Sequence, residues 1–451
     1  MDPIYEHFMG GFERAAEQNG PERRIGAELK FPLVNEDGTA ANLGAVRALW
    51  QYLVERGWRP VRDRMSGEVV GAAKPGKKND SVASCETGYC KTEFSLAHVA
   101  NLHDLAREVD ALKAELQPFA EMHRVHFLAY GIQPVTPPSG RLMMKKTRTC
   151  VWDKVFGANR CIPPEDGDDV CLFTVNAATH VHVSTSREDA IAAVNVLNGF
   201  SPAQIALTAH SSVWKNSVDP QHKCVAETLW DMWMPESDRI GVPEKPFRDL
   251  RDYVETVARF SPVYVKRNGI PLVLKDYKTF AEYYAQPEAV AYDPDGNQLS
   301  VVPESADIDL HSTCYWFNAR LSRYYTVENR TNDQQPPDDL LCASALTLGL
   351  VSALDECREA LSAYNWEDLR AARISACRSG LLSTVGRRPL VNLAAKMLAL
   401  ARLGLIRRGI GEEQYLGPLD RRLREKTCPA DAVAWLFQRG GISSLIEARK
   451  L

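Results

Sequence analysis

The chain lacks a long apolar run and a strong excess of either charge. Its 451 residues carry 54 Lys and Arg against 58 Asp and Glu, a formal net charge of -4, which gives no argument for binding nucleic acid or an acidic membrane surface. The longest apolar stretch, 389–406, is interrupted by Asn392, Lys396 and Arg402, and residues 1–20 are polar and acidic. We therefore expect neither a membrane span nor a signal peptide.

Paired cysteine motifs are also lacking. Eleven cysteines are scattered without a CxxC pair, and the Cys85–Cys90 and Cys150–Cys161 spacings match neither a zinc ribbon nor a secreted disulfide framework. The favoured interpretation is a set of buried free thiols in a reducing, cytoplasmic environment. A redox-sensing disulfide is the alternative that the sequence leaves open.

Two common nucleotide-binding motifs are missing as well. There is no GxxxxGK[ST] loop and no GxGxxG that opens a helix. If the protein binds a nucleotide, it must do so through metal ions held by carboxylates.

What the sequence does contain is a set of charged and imidazole side chains on segments that alternate like β-strands. Strand side chains alternate between faces, so residues two apart share a face. Facing inward, such groups would line a cavity that suits Mg²⁺ carrying nucleotide phosphates. The residues are Glu28 with Lys30, Glu86, Glu93, His180 with His182, and Glu328 with Arg330.

The order of predicted elements favours an α+β fold. Helices are predicted at 1–19, ending at Gly20-Pro21, and at 42–57 and 97–123, and strands at 24–34, 82–94, 172–186 and 323–329. A hairpin is predicted at 61–71, a loop at 74–80, and mostly irregular chain at 215–310 with a hairpin at 263–274 and a loop at 285–309. This order suits an antiparallel sheet with helices packed outside. Residues 340–451 are predicted to be a helical layer of the same domain, so that 1–451 forms one unit.

Each of these polar residues has a simpler interpretation. A single glutamate on a strand is usually solvated, and His180 with His182 could be structural histidines. A zinc site would need a third ligand, which no neighbouring His or Cys supplies at motif spacing. Three strands that each place Glu or His on one face are harder to explain as a solvated surface.

Nearly end to end, the motifs resemble the plant-type glutamate–cysteine ligases and their bacterial carboxylate–amine ligase relatives. No one motif is highly specific, but their order and spacing together are. The matching segments are 24–28 (the family's R-I-G-x-E-x-E), 86–93 (E-P-G-x-Q-x-E), 127–134 (F-L-G-x-G-x-Q-P), 146–148 (K-G-R), 180–183 (H-V-H-V), 323–330 (R-Y-x-E-x-R) and 407–409 (R-R-G).

The resemblance implies a glutamine-synthetase-like fold, in which a curved antiparallel sheet forms a funnel around ATP and Mg²⁺. It also implies amino-acid substrates and a monomer or homodimer. Lys146 and Arg148 are implied as phosphate or substrate contacts, and Arg330 and Glu328 as catalytic residues, with Arg330 stabilising the phosphoryl group in transfer. The implied magnesium ligands are Glu28, Glu86, Glu93, His180 and Glu328.

Two positions depart from the family pattern. Lys30 stands where the first strand carries a second glutamate, a change of two charge units that puts one magnesium position in doubt. Lys30 could touch a phosphate directly in place of an ion, or the site could be crippled. Ala226 stands where the family has an arginine before Trp230, which suggests that one substrate is held differently or is a different molecule.

Three hypotheses follow. The first is an ATP-dependent ligase that joins glutamate to cysteine through an acyl phosphate. The second is the same chemistry on another amino acid or amine in a specialised biosynthetic pathway, which Lys30 and Ala226 favour. The third is a non-catalytic regulatory homologue, which the joint presence of the five implied magnesium ligands disfavours.

Overall fold

A computed structural model describes residues 1–19, 22–76 and 79–451. The predicted helix stop at Gly20-Pro21 and part of the predicted 74–80 loop lie outside these residues. The largest sheet among them has nine strands, and every strand pair in it is antiparallel. The α+β fold with an antiparallel sheet is confirmed.

The strands are numbered along the chain. Those of the large sheet lie in the order β16-β17-β7-β1-β5-β4-β3-β2, and β6 also pairs with β1. They are β1 (Ile25–Asn35), β2 (Arg59–Arg62), β3 (Val69–Lys74), β4 (Ser81–Cys85), β5 (Lys91–Ser95), β6 (Val125–Phe127), β7 (Ala178–Ser184), β8 (Val213–Trp214), β9 (Ser217–Val218), β10 (Ile240–Gly241), β11 (Tyr264–Arg267), β12 (Ile270–Val273), β13 (Ala289–Tyr292), β14 (Gln298–Val301), β15 (Trp316–Phe317), β16 (Ala319–Leu321), β17 (Thr326–Asp333), β18 (Thr384–Val385) and β19 (Arg388–Pro389).

The α-helices cover the sheet and form most of the last 110 residues. They are α1 (Asp2–Asn19), α2 (Leu43–Glu55), α3 (Leu102–His123), α4 (Trp152–Phe156), α5 (Arg187–Gly199), α6 (Ser201–Thr208), α7 (Val225–Trp233), α8 (Leu250–Ala258), α9 (Phe280–Tyr284), α10 (Ser305–His311), α11 (Cys342–Val351), α12 (Leu354–Ser362), α13 (Trp366–Ser379), α14 (Leu390–Arg408), α15 (Gly417–Glu425) and α16 (Pro429–Arg449). Among the described residues no single helix is long and apolar enough to cross a membrane, and only α5 with α6, bent by 53°, would pass as a pair.

The central strand β1 shows how the sequence produces the two faces of the sheet. Ile25, Ala27, Leu29 and Phe31 are at most 3% exposed and belong to the main hydrophobic core. The polar residues between them therefore point to the opposite face, as the alternation predicts. Since β1 pairs with β5 on one side and β7 on the other, its polar residues lie at the middle of the sheet.

Helices cover the apolar face of β7 and β17. Asn329 of β17 points to this side, where its Nδ2 donates to Gln204 Oε1 of α6 at 2.7 Å and to Thr347 Oγ1 of α11 at 2.8 Å. Helix α11 lies close against α14: a Cβ added at Gly404 of α14 would stand 2.0 Å from the carbonyl oxygen of Gly349 in α11. These glycines permit the close approach of the C-terminal helices.

Several sequence predictions are wrong in detail. The predicted loop at 285–309 contains β13, β14 and the start of α10, and the supposedly irregular 215–310 also contains helices α7 to α9. The strand predicted from residue 172 begins at Ala178, because 169–174 forms a 3₁₀ helix. Helix α3 begins at Leu102 rather than 97, where Asn101 Oδ1 accepts from the backbone N–H of Asp104 and caps it.

Candidate active site

A cavity of about 910 Å³ opens on the polar face of the large sheet. Strands β1, β4, β5, β7, β16 and β17 supply its floor. Aromatic residues from helical segments and from the short strand β15 line the rest of the cavity, among them Trp152, Phe173, Trp230, Trp233 and Trp316. The cavity therefore has a charged side and an aromatic side.

Strand register brings three potential metal ligands together. Glu28 of β1 pairs with His180 of β7, and His182 of β7 pairs with Glu328 of β17. One ligand atom each from Glu28, His182 and Glu328 lie within 4.8 Å of one another. Nε2 of His182 is 3.3 Å from Oε1 of Glu28, and its Nδ1 is 3.0 Å from the Thr326 hydroxyl, which orients the ring.

This donor set fits one divalent cation. Two carboxylates and an imidazole converge from three neighbouring strands, and carboxylate oxygens are what Mg²⁺ prefers. Of the implied magnesium ligands, the structure places Glu28 and Glu328 in this cluster. His182, which the resemblance did not single out, supplies the imidazole.

The remaining implied ligands surround Lys30. Its Nζ lies 2.9 Å from Glu28 Oε2, 3.0 Å from Glu93 Oε2 and 3.6 Å from Glu86 Oε1. It also lies 2.8 Å from Nδ1 of His180. The contact with Glu93 is an ion pair without hydrogen-bond geometry, since that oxygen makes no hydrogen bond. Lys30 is 3% exposed, so its ammonium group is enclosed by these groups.

The charges of these groups are strongly coupled. Burial alone would raise the pKa of Glu28, but Lys30, His180 and His182 hold the pKa well below its usual range. Burial, with the negative charges of Glu86 and Glu28 nearby, raises the pKa of Glu93 to about 8 against the opposing effect of Lys30. The glutamates around Lys30 therefore differ in protonation: Glu28 keeps its negative charge, whereas Glu93 is protonated most easily.

His180 is held neutral. Burial, together with the positive charges of Lys30 and Arg330, lowers the pKa of His180 to about 3. Its Nδ1 is 2.8 Å from Lys30 Nζ and 2.9 Å from Glu28 Oε2. Nδ1 cannot accept from the Lys30 ammonium and donate to the Glu28 carboxylate at once, so the tautomer of the ring decides which of the two contacts is a hydrogen bond.

Two arginines hold Glu328. Arg320 of β16 donates from Nε to Glu328 Oε2 at 2.9 Å, and it also donates to the backbone carbonyls of Ser312 and Tyr315. Arg330 donates to Glu328 Oε1. Burial would raise the pKa of Glu328, but the two guanidinium groups hold it well below its usual range. Glu328 is therefore a charged carboxylate in a fixed position.

A β-bulge sets the position of Arg330. The register between β17 and β7 shifts between Asn329 and Asn332, so Arg330 lies in the irregular segment. Its backbone N–H donates to the carbonyl of Asn318 at 2.7 Å, and its guanidinium lies 6.0 Å from the ring of Trp230. A bulge re-aims a side chain, and here Arg330 reaches both Glu328 and the aromatic side of the cavity.

The other predicted phosphate contacts behave differently from each other. Arg148 lines the cavity, 5.6 Å from the ring of Trp152, and within the described residues no carboxylate lies within 4.0 Å of its guanidinium. Lys146 instead donates to the backbone carbonyl of Cys85 at 2.5 Å. Arg148 is thus available to an anionic ligand, whereas Lys146 supports the end of β4.

Sequence reasoning missed Lys91 and Arg320. Lys91 is buried at the cavity wall, where it donates to the carbonyl of Phe173 at 3.0 Å and to Asn176 Oδ1 at 2.8 Å. Burial lowers the pKa of Lys91 to about 8. The only sequence signal for Arg320 is its pairing opposite Glu328 in a hairpin, which becomes visible once β16 and β17 are recognised as partners.

Ala226 lies on the cavity wall, at the start of α7. The next residue, Glu227, is buried and receives hydrogen bonds from Arg373 Nε and Asn318 Nδ2, both at 2.7 Å. Arg373 also pairs with Asp231. The position that carries an arginine in the family pattern is thus apolar, and the charged groups next to it are already paired.

Comparisons with known proteins agree with this picture. The sequence profile described as glutamate-cysteine ligase family 2 matches residues 26–448. The chain is 24% identical over 383 residues to the chloroplastic glutamate–cysteine ligase of Medicago truncatula, covering 83% of this chain and 70% of the relative.

Two solved structures share the fold. The glutamate–cysteine ligase of Francisella tularensis, solved in complex with AMP, matches with a TM-score of 0.57 and 10% identity over 95% of this chain and 87% of that chain. A bifunctional glutathione synthetase from Pasteurella multocida matches with a TM-score of 0.51 and 11% identity, over 100% of this chain and 53% of that one. The resemblance inferred from the motifs is confirmed, and since the family profile spans residues 26–448 of 451, the protein belongs to glutamate–cysteine ligase family 2 and is an ATP-dependent ligase that forms an amide bond.

Proposed function

We propose that this protein uses ATP and Mg²⁺ to join a carboxylate to an amine through an acyl-phosphate intermediate. The simplest pair of substrates is the γ-carboxylate of glutamate and the amino group of L-cysteine, which would give γ-glutamylcysteine. The observation that carries the proposal is the convergence of Glu28, His182 and Glu328 beside Arg330 on the cavity floor.

The residue types suit the reaction. A carboxylate is a poor acyl donor, so ATP first converts it to an acyl phosphate, and the amine then displaces phosphate. Transfer of the γ-phosphoryl group needs positioning and charge neutralisation more than covalent help from the protein. A bound Mg²⁺ would supply part of that neutralisation, held by Glu28, His182 and Glu328.

The arginines supply the rest. Arg330, next to the cluster, would neutralise charge on the phosphoryl group in transfer, and Arg148 offers a second guanidinium that has no carboxylate partner among the described residues. Arg320 contacts Glu328 and two backbone carbonyls, so its role is to position Glu328. The AMP in the Francisella tularensis relative supports a nucleotide as substrate.

The test is a screen of purified protein with Mg²⁺, ATP and pairs of amino acids. ADP release is measured together with the mass of the product. The proposal requires ADP release that depends on both a carboxylate donor and an amine, with one amide formed per ADP. ATP hydrolysis that ignores both substrates, or no turnover with any pair, would contradict it.

A different amino acid or amine is the second candidate, and Ala226 favours it. With alanine on the wall, no guanidinium from this position can bind a substrate carboxylate. The aromatic side contains Phe173, Trp230 and Trp316. The ring centroid of Trp230 lies 4.2 Å from that of Phe173 and 5.8 Å from that of Trp316. An aromatic wall favours a substrate with an apolar or cationic group. Turnover with another pair but not with glutamate and cysteine would select this candidate.

A further inference from the structure

We propose that the ammonium group of Lys30 permanently replaces one divalent cation in this enzyme, so that the site binds one metal ion fewer than its carboxylates would otherwise hold. The inference rests on the proposed metal-dependent function and concerns how the site is built. Lys30 would thus act as an internal cation between the carboxylates, rather than as a residue waiting to bind a phosphate.

The geometry of Lys30 is the first argument. Its Nζ contacts Glu28, Glu86 and Glu93 at 2.9 to 3.6 Å. Distances of 2.9 and 3.0 Å are those of ammonium–carboxylate contacts, and they leave no space for a metal ion between the ammonium and the oxygens. The carboxylates enclose Lys30 from β1, from β5 and from the turn that follows β4.

The second argument is the number of ligands that Lys30 engages. A fourth contact goes to Nδ1 of His180 at 2.8 Å. Within the described part of the chain, Lys30 therefore touches four of the five residues that the family pattern assigns to metal binding. Only Glu328 is held by other cations, Arg320 and Arg330.

The third argument is burial. Lys30 is 3% exposed, and its side chain leaves β1, the central strand of the sheet. A buried ammonium needs counter-charges nearby, because burying it unpaired would be costly. A divalent cation in the same position would both repel Lys30 and take its partners, so the two cannot share the carboxylates.

The metal site that remains is Glu28, His182 and Glu328. Glu28 belongs to both groups: its Oε2 contacts Lys30, and its Oε1 faces His182. The carboxylate of Glu28 thus joins the internal cation to the metal site. Removing the charge at residue 30 should free Glu86, Glu93 and the Oε2 side of Glu28 to bind a second ion.

The experiment counts Mn²⁺ ions per chain by electron paramagnetic resonance of free Mn²⁺, in the presence of adenylyl imidodiphosphate. The variants are Lys30→Gln and Lys30→Glu, which remove the ammonium group, and Lys30→Arg, which keeps a cation. Lys223→Gln is the matched control. Nζ of Lys223 pairs with a single carboxylate, that of Asp431, at a distance of 2.6 Å, and Lys223 does not line the cavity.

We expect both variants that lack the ammonium group to bind one Mn²⁺ more per chain than the wild type. Lys30→Arg and Lys223→Gln should keep the wild-type number. An unchanged count in folded Lys30→Gln or Lys30→Glu would overturn the inference, and so would a gain in Lys30→Arg.

A second pair of variants leaves Lys30 in place, in case its replacement prevents folding. Glu86→Gln should leave the Mn²⁺ count and affinity at the wild-type level, because Glu86 faces Lys30, whereas Glu328→Gln should weaken Mn²⁺ binding. Loss of an ion in Glu86→Gln would show that Glu86 binds metal and would refute the role of Lys30. A wild-type protein that binds no Mn²⁺ would instead refute the metal-dependent function, so the two failures are distinguishable.

Discussion

Replacement of Glu328 by glutamine tests the site and the fold together. The side chain is 4% exposed and receives hydrogen bonds from Arg320 and Arg330. Glutamine keeps the shape of glutamate but leaves two guanidinium groups facing a neutral amide. Removing one partner of a buried ion pair costs about 3–5 kcal/mol. Because the amide oxygen can still accept one hydrogen bond, we expect a loss near 3 kcal/mol in the free energy of unfolding.

Activity should fall much further than stability. Glu328→Gln removes a predicted metal ligand and releases Arg330 from its fixed position. The loss of one preorganised electrostatic contact commonly lowers kcat by ~100-fold or more, so we expect at least that decrease in ADP release at a temperature where the variant is fully folded. Urea unfolding and steady-state ADP release measure the two effects separately.

Asp307→Asn provides the control. Asp307 is 2% exposed and pairs with both terminal nitrogens of Arg267 at 2.8 Å, outside the cavity lining. It should lose a comparable free energy of unfolding while each folded molecule keeps its turnover. Wild-type turnover in folded Glu328→Gln, or an equal loss of turnover in Asp307→Asn, would refute the assignment of Glu328.

Three further results are expected. Arg330→Lys keeps the charge but loses the planar guanidinium, so kcat should fall by ~10–100-fold with little change in Tm; unchanged kcat would remove Arg330 from phosphoryl stabilisation. Treatment with EDTA should stop ADP release, Mg²⁺ should restore it, and MgATP should raise Tm because it binds the folded state; full activity in EDTA would contradict the metal site. Gly88 lies in the turn between Glu86 and Glu93, and a Cβ added there would stand 2.1 Å from the carbonyl oxygen of Thr174. Gly88→Ala should therefore lower the free energy of unfolding, measured in urea, by about 1–3 kcal/mol; an unchanged value would show that this turn adjusts freely.

Alternation along single strands predicted much of the site. Glu28 with Lys30, and His180 with His182, were expected to share a face, and strand pairing places all four together. The sequence could not tell which histidine joins the carboxylates. That depends on the register of β7 against β1 and β17 and on Lys30, whose Nζ lies 2.8 Å from Nδ1 of His180.

Other features depend on contacts between distant segments. No local pattern marks the bulge that re-aims Arg330, because a bulge is defined by the partner strand. The strands β13 and β14 were missed since they are four residues long and β14 is largely exposed, which leaves little hydrophobic alternation to detect. The position of Lys30 among Glu28, Glu86 and Glu93 could be predicted only by knowing that β1 pairs with β5.

The central position of β1 has a consequence for how the enzyme loses activity. Edge strands and helix ends can detach in local openings, whereas a strand hydrogen-bonded on both sides separates only when the sheet itself comes apart. The backbone amide proton of Glu28 should therefore be among the slowest in the chain to exchange with deuterated water. Heat inactivation should then coincide with global melting, and the reaction centre should not fail while the rest of the protein stays intact.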